Sequence, residues 1–183
     1  MLIAVVGSKR SGKTTTIEYL IRQLAKEGLK IGVVKHVHDP NFSIDTPQKD
    51  TFRFSQSGAK IVVSSAKKEV AIIKKFNEHC ESFHLKEILD FLEKEKLDLI
   101  FLEGFHSVIA QRSDVYKIIT AKNQEDLEKR LHETVPPILA VTGLIACQNI
   151  KTQVSEIPLI NVLTEGNLLL KLIKLALSKK RKY

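Results

Sequence analysis

Gly7-Ser8-Lys9-Arg10-Ser11-Gly12-Lys13-Thr14 fits the pattern G-x-x-x-x-G-K-[ST]. Its flanks give the pattern meaning. Leu2 to Val6 before it is an unbroken apolar run, as expected of a strand buried on both faces. After it, from Thr14 to Lys26, Ile17, Leu20, Ile21 and Leu24 recur at helical spacing, and Gly28 stands where a helix would end. A strand, a glycine-bent turn and a helix in this order form an anion site. The glycines let the backbone curl without a Cβ in the way, and the start of the helix presents unpaired N–H groups with a partial positive charge. Lys13 is placed to reach terminal phosphates, and the Thr14 hydroxyl to hold a magnesium ion that bridges them. The expected nucleotide-binding set is therefore Gly7, Ser8, Lys9, Arg10, Ser11, Gly12, Lys13, Thr14 and Thr15.

Outward from this turn, strand, loop and helix patterns repeat, which predicts an α/β protein with helices on both faces of a mostly parallel sheet. Ile31 to Lys35 reads as a second strand, and His36 to Pro47 as a loop. Thr46-Pro47 resembles a helix cap with a first-turn proline, and Gly58 closes a short helix behind it. Ile61–Ser65 and Val70–Ile73, separated by four polar or small residues, suggest a hairpin. Phe83 to Lys96 reads as an amphipathic helix, Leu97 to Leu102 and Val115 to Ile119 as strands, and Glu125 to His132 as a weaker helix. Ile138 to Thr142 and Pro158 to Val162 read as strands, and Gly166 to Ser178 as a closing helix. The expected fold is a P-loop NTPase-like three-layer α/β/α arrangement with a short antiparallel hairpin. One domain over residues 1–178 is expected, followed by a basic tail from Lys179 to Tyr183.

A phosphate loop needs a carboxylate to complete a metal shell, and ligands of open α/β sheets collect at the carboxyl ends of the strands. Leu97-Asp98-Leu99-Ile100-Phe101-Leu102-Glu103-Gly104 supplies Glu103 at that end and Asp98 at the other. Lys13 and Glu103 are the expected catalytic pair, and Thr14 and Glu103 the expected metal ligands. Lys35-His36-Val37-His38-Asp39 ends the second strand on the same edge. Residues two apart on a strand share a face, so His36 and His38 could meet one ligand or remain in a solvated loop. Asp45, Lys49 and Asp50 follow in the long loop, where ligand contacts and capping roles are both open.

The bulk composition agrees with a globular chain. Hydrophobic residues make up 43% and charged residues 27% of the 183, enough apolar surface to offset chain entropy. Cys80 and Cys147 belong to no metal-binding spacing and read as structural thiols in a reducing compartment. No basic leader precedes Gly7 and no apolar run approaches the roughly 20 residues of a membrane helix, so a soluble, cytoplasmic protein is expected. The net charge of +8 favours polyanionic partners. With aromatics at 6% and no interleaved aromatic motif, nucleic acid is not expected among them.

Four segments together resemble the molybdopterin-guanine dinucleotide biosynthesis protein B (MobB) family. They are Gly7 to Thr15; Val34-Lys35-His36-Val37-His38-Asp39; Ile44-Asp45-x-Pro47-x-Lys49-Asp50 leading to Ser57-Gly58-Ala59; and Leu97 to Phe105. The resemblance covers about the first 120 residues. It implies a P-loop protein that binds GTP with magnesium and hydrolyses it weakly. It also implies an adaptor role beside a separate molybdopterin guanylyltransferase, with other molybdenum cofactor enzymes and a second copy of the chain as further partners. On that resemblance Lys13 and Thr14 hold phosphate and magnesium, Glu103 the metal region, and Lys35, His36, His38, Asp45, Lys49 and Asp50 form a substrate or partner wall. Gln48 stands where the family commonly has glycine, and Phe52-Arg53-Phe54 lacks its usual tyrosine. Guanine is implied by the resemblance alone, because Gly143-Leu144 stands where many GTPases carry N/T-K-x-D. Two other readings of the residues are a small-molecule kinase, with Arg112 and Arg130 beyond Glu103, and a metal-delivery GTPase using His36 and His38.

Overall fold

A computed structural model describes residues 1–76, 81–148 and 156–180. The chain divides into two compact units, Met1–His36 with Glu81–Tyr183, and Val37–Cys80.

In the larger unit β1 (Leu2–Gly7), β2 (Ile31–Lys35), β5 (Leu99–Glu103), β6 (Tyr116–Thr120) and β7 (Ile138–Thr142) form one sheet in the order β2-β5-β1-β6-β7, every pair parallel. Parallel strands buried on both faces need apolar residues of both parities, and β1 supplies them. Ile3 and Val5 enter one core, Ala4 and Val6 the other. The first core is closed by α1 (Lys13–Lys26) through Ile17, Leu20 and Leu24, and by α6 (Val162–Lys180) through Leu169, Leu170, Ile173 and Leu177. The second is closed by α3 (Glu81–Glu93) through Leu85, α4 (His106–Ile109) through Ile109, and α5 (Gln124–Glu133) through Leu127. Each such fully buried aliphatic side chain contributes about 1.5–3 kcal/mol of transfer free energy, which fixes three layers with the sheet in the middle. This is the expected mostly parallel α/β architecture.

The smaller unit holds α2 (Asp50–Gln56) and the antiparallel hairpin of β3 (Ile61–Ser65) and β4 (Val70–Lys74), as the two β-branched runs predict.

Several boundaries differ from the sequence reading. Pro158 to Val162 is not a strand: Leu159 makes a single bridge to Val141, and Val162 already belongs to α6. α2 starts at Asp50 with Lys49 at its N-cap, because the Thr46-Pro47 segment forms a turn, with Lys49 N–H donating to Thr46 O, before the helix begins. α6 continues through Lys179 and Lys180, so the basic tail begins within the helix, while Arg181 to Tyr183 lie outside the described residues. Cys147 is exposed and free at the end of a 3-10 turn, Leu144–Cys147; the reading of Cys80 falls outside the described residues.

Candidate functional site

Sheet register sets the site. Glu103 is aligned with Val5 on one side and Lys35 on the other, and Thr120 with Gly7 and Thr142. The last residues of all five strands, Lys35, Glu103, Gly7, Thr120 and Thr142, therefore lie at one carboxyl edge, around the turn that joins β1 to α1.

The turn itself is shaped by close packing. A Cβ on Gly7 would lie 2.2 Å from Thr120 O, so no larger residue fits there. Arg10 (φ 63) and Gly12 (φ 104) adopt left-handed backbone, and Gly12 caps α1 without any side-chain hydrogen bond, leaving the first N–H groups of the helix to an outside acceptor. The buried Ser11 hydroxyl lies 2.6 Å from Thr120 Oγ1 and donates to Ser8 O at 2.8 Å. Gly143 presses on the outside of the turn: a Cβ there would stand 2.2 Å from Ser11 O. Ser8 Oγ donates to Asp126 Oδ2 at 2.6 Å, which ties the turn to α5.

Lys13 folds back over the turn, donating to Gly7 O at 3.2 Å and Ser8 O at 2.7 Å. Burial lowers its pKa from the usual lysine value, against an upward pull from Glu103. An ammonium destabilised in this way gains when a polyanion arrives beside it. Thr14 Oγ1 donates to Glu103 Oε1 at 3.3 Å, and Lys35 Nζ lies 3.6 Å from Glu103 Oε2. Glu103 is 8% exposed and is the last residue of β5, one position earlier relative to the strand end than the sequence suggests. Gly104 turns the chain at φ 90, with His36 O in the place a Cβ would need. Lys9, Arg10, Lys13, Thr14, Glu103 and Leu144 line a cavity of about 430 Å³, a size that takes a nucleotide-scale ligand.

Of the remaining wall residues, Lys35 reaches Glu103, whereas His36 lies beyond the end of β2 with its ring 5.2 Å from that of Phe105. β2 stops at Lys35, so the strand argument that puts His36 and His38 on one face does not hold. His38, Asp45, Lys49 and Asp50 belong to the smaller unit. There Asp45 is buried, its Oδ1 accepting from Thr51 Oγ1 at 2.8 Å and Thr46 N at 3.1 Å, and with Lys49 it borders a cavity of about 500 Å³. Asp50 pairs with Arg53 at 3.1 Å on its own helix. Among the described residues no group of three His, Cys, Asp or Glu side chains is arranged to hold a metal ion. Arg112 pairs with Asp114, and Arg130 with Glu133 at 2.8 Å and Asp126 at 3.7 Å; both guanidinium groups are engaged by neighbouring carboxylates.

Thr120 and Asp126 were not legible as site residues. Asp126 follows Asn123 as the first turn follows its cap, which signals a helix start and nothing of a contact 118 residues away.

The family model for molybdopterin guanine dinucleotide synthesis protein B, MobB, matches residues 2–142. The chain is 32% identical over 124 residues to a putative molybdopterin-guanine dinucleotide biosynthesis adapter protein of Methanocaldococcus jannaschii, 68% of this chain and 48% of that one. It is 31% identical over 111 residues to the molybdopterin-guanine dinucleotide biosynthesis adapter protein of Escherichia coli K12, 60% of this chain and 62% of that one. It thus spans about half the length of the first relative and under two thirds of the second. The crystal structure of Bacillus subtilis MobB superposes with a TM-score of 0.71 at 22% identity, covering 96% of each chain, a likeness of fold. The parallel sheet with its glycine-bent turn and the match over residues 2–142 lead to one assignment: this chain belongs to the MobB family.

Proposed function

We propose that this protein is a GTP-binding adapter in molybdenum cofactor assembly, which assists a separate guanylyltransferase in attaching GMP to molybdopterin. Family membership and the names of the relatives support the pathway. The observation that carries the nucleotide reading is the convergence of Gly12, Lys13, Thr14 and Glu103 on one cavity at the carboxyl edge of the sheet. In this reading the N–H groups from Gly7 to Thr15 and the Lys13 ammonium bind the polyphosphate. Thr14 Oγ1 and Glu103 Oε1, 3.3 Å apart, are hard oxygen donors of the kind magnesium takes. Magnesium there would neutralise charge on the phosphate oxygens. Guanine is taken from the family; Leu144 offers the base an apolar contact on the cavity wall.

Hydrolysis is expected to be slow. Arg112 and Arg130 are each paired with carboxylates, and the cations on the cavity wall, Lys9, Arg10 and Lys13, all belong to the turn itself, so no arginine from another element is supplied to the phosphates. Lys35, His36, His38, Asp45, Lys49 and Asp50 are proposed to contact substrate or partner enzyme, and a homodimer and a cytoplasmic location belong to the same proposal. Among the described residues no helix is long and apolar enough to cross a membrane.

Calorimetric titration with magnesium and either GTP or ATP, followed by a guanylyltransferase assay with and without the protein, tests this. Tighter binding of GTP and a faster attachment of GMP are expected. Stoichiometric transfer of phosphate to a small molecule would instead make the protein a kinase.

A further inference from the structure

Asp126 places a carboxylate against a loop built for anions. Left alone it would repel a polyphosphate, so its position needs another reason. Its contacts supply one. Oδ2 accepts both Ser8 Oγ at 2.6 Å and Lys122 N at 3.1 Å, while Oδ1 faces Arg130 Nε at 3.7 Å. The side chain is only 11% exposed, and its own N–H is held by Asn123 Oδ1 at 3.0 Å, so the carboxylate is fixed from its backbone outward. Burial pushes its pKa up, but the hydrogen bonds from Ser8 and Lys122 and the charge of Arg130 outweigh that and hold it below the usual aspartate value.

Ser8 is the other half of the contact. Its carbonyl oxygen takes the Lys13 ammonium at 2.7 Å, the Ser11 hydroxyl at 2.8 Å and the Ser11 N–H at 3.3 Å. The residue whose hydroxyl is clamped by α5 is therefore the residue around which the rest of the turn is folded. Fixing the Ser8 side chain fixes the direction of its peptide, and with it the resting place of Lys13.

We infer that Asp126 is a positioning residue for nucleotide binding: through Ser8 it holds the phosphate turn in its anion-accepting curvature, acting by hydrogen bonding and at the expense of charge. This rests on the nucleotide reading above. It separates the acceptor role of Asp126 from its charge, and the two have opposite consequences. Asparagine keeps an acceptor oxygen for Ser8 and Lys122 and removes the negative charge; alanine removes both.

The test is a titration of magnesium-GTP into the full chain carrying Asp126→Ala, Asp126→Asn, Ser8→Ala or Ser8→Ala with Asp126→Ala, each checked for fold by circular dichroism. Loss of a charge-assisted hydrogen bond that orders the turn should weaken binding roughly tenfold in Asp126→Ala and in Ser8→Ala. The double variant should be no more than about two- to threefold weaker than either single one, since both act on one contact. Asp126→Asn should bind within about threefold of the unaltered protein, or tighter. Equal binding by Asp126→Ala and the unaltered protein, multiplied losses in the double variant, or Asp126→Asn failing like Asp126→Ala would each overturn the inference. Should Asp126→Ala misfold, Ser8→Ala and Asp126→Asn decide it alone. Absence of nucleotide binding by the unaltered protein would instead remove the reading on which the inference stands.

Discussion

Glu103 meets two neighbours of different character. Thr14 donates to one oxygen at 3.3 Å, and the half-exposed Lys35 lies 3.6 Å from the other. A pair with one partner 56% exposed is well screened and adds little to stability, and the proposed function gives the acid a second role, toward magnesium. Glu103→Gln keeps size and hydrogen bonding while removing the charge that a divalent ion needs. Nucleotide binding should persist in this variant, the midpoint for magnesium should move to higher concentration, and turnover should fall by roughly tenfold or more, as expected when a metal-positioning charge is lost. Hydrolysis assayed across a magnesium series checks this, and a wild-type magnesium profile would take Glu103 out of the site. Residues of this kind were legible because motif and strand end coincide. Asp126 was not, because its meaning lies in a contact between segments far apart in the chain.

At the scale of elements, the strands of the main sheet were readable wherever an apolar run filled both faces, as in β1 and β5. Pro158 to Val162 has the same look but makes one bridge at the edge of β7 before α6 begins, and composition does not separate a strand from such a bridge. The hairpin was readable from its two short β-branched runs and the four residues between them, whereas the start of α2 was not, because Thr46-Pro47 caps as well in a turn as in a helix. The joint between β7 and the phosphate turn was hidden for a different reason: Gly143 serves its neighbour Ser11, not its own strand. Gly143→Ala would force a Cβ to 2.2 Å from Ser11 O at φ 95, whereas Gly28→Ala at φ 84 meets no atom within 4 Å. The first should cost more than the ~1 kcal/mol typical of left-handed strain and should also weaken nucleotide binding; the second should cost about that much stability and leave binding unchanged. Thermal melts with parallel titrations compare them, and equal binding by both variants would dissociate Gly143 from the turn.

At the scale of the molecule, the parallel sheet of the larger unit, wrapped by α1 and α6 on one face and α3, α4 and α5 on the other, brings five strand ends and one helix start to a single edge. The net charge of +8 is of the sign that the proposed polyphosphate ligand calls for. Any ligand that binds only the folded state adds stability of RT ln(1 + [L]/Kd), about 2.7 kcal/mol at a hundredfold excess over Kd, and it adds it first where the contacts are made. Amide hydrogen exchange with and without magnesium-GTP therefore bears directly on the central claim. The expected result is slowed exchange of the backbone from Gly7 to Thr16, joined by the end of β5 around Glu103. Unchanged exchange across that turn, with protection appearing only in other segments, would contradict it.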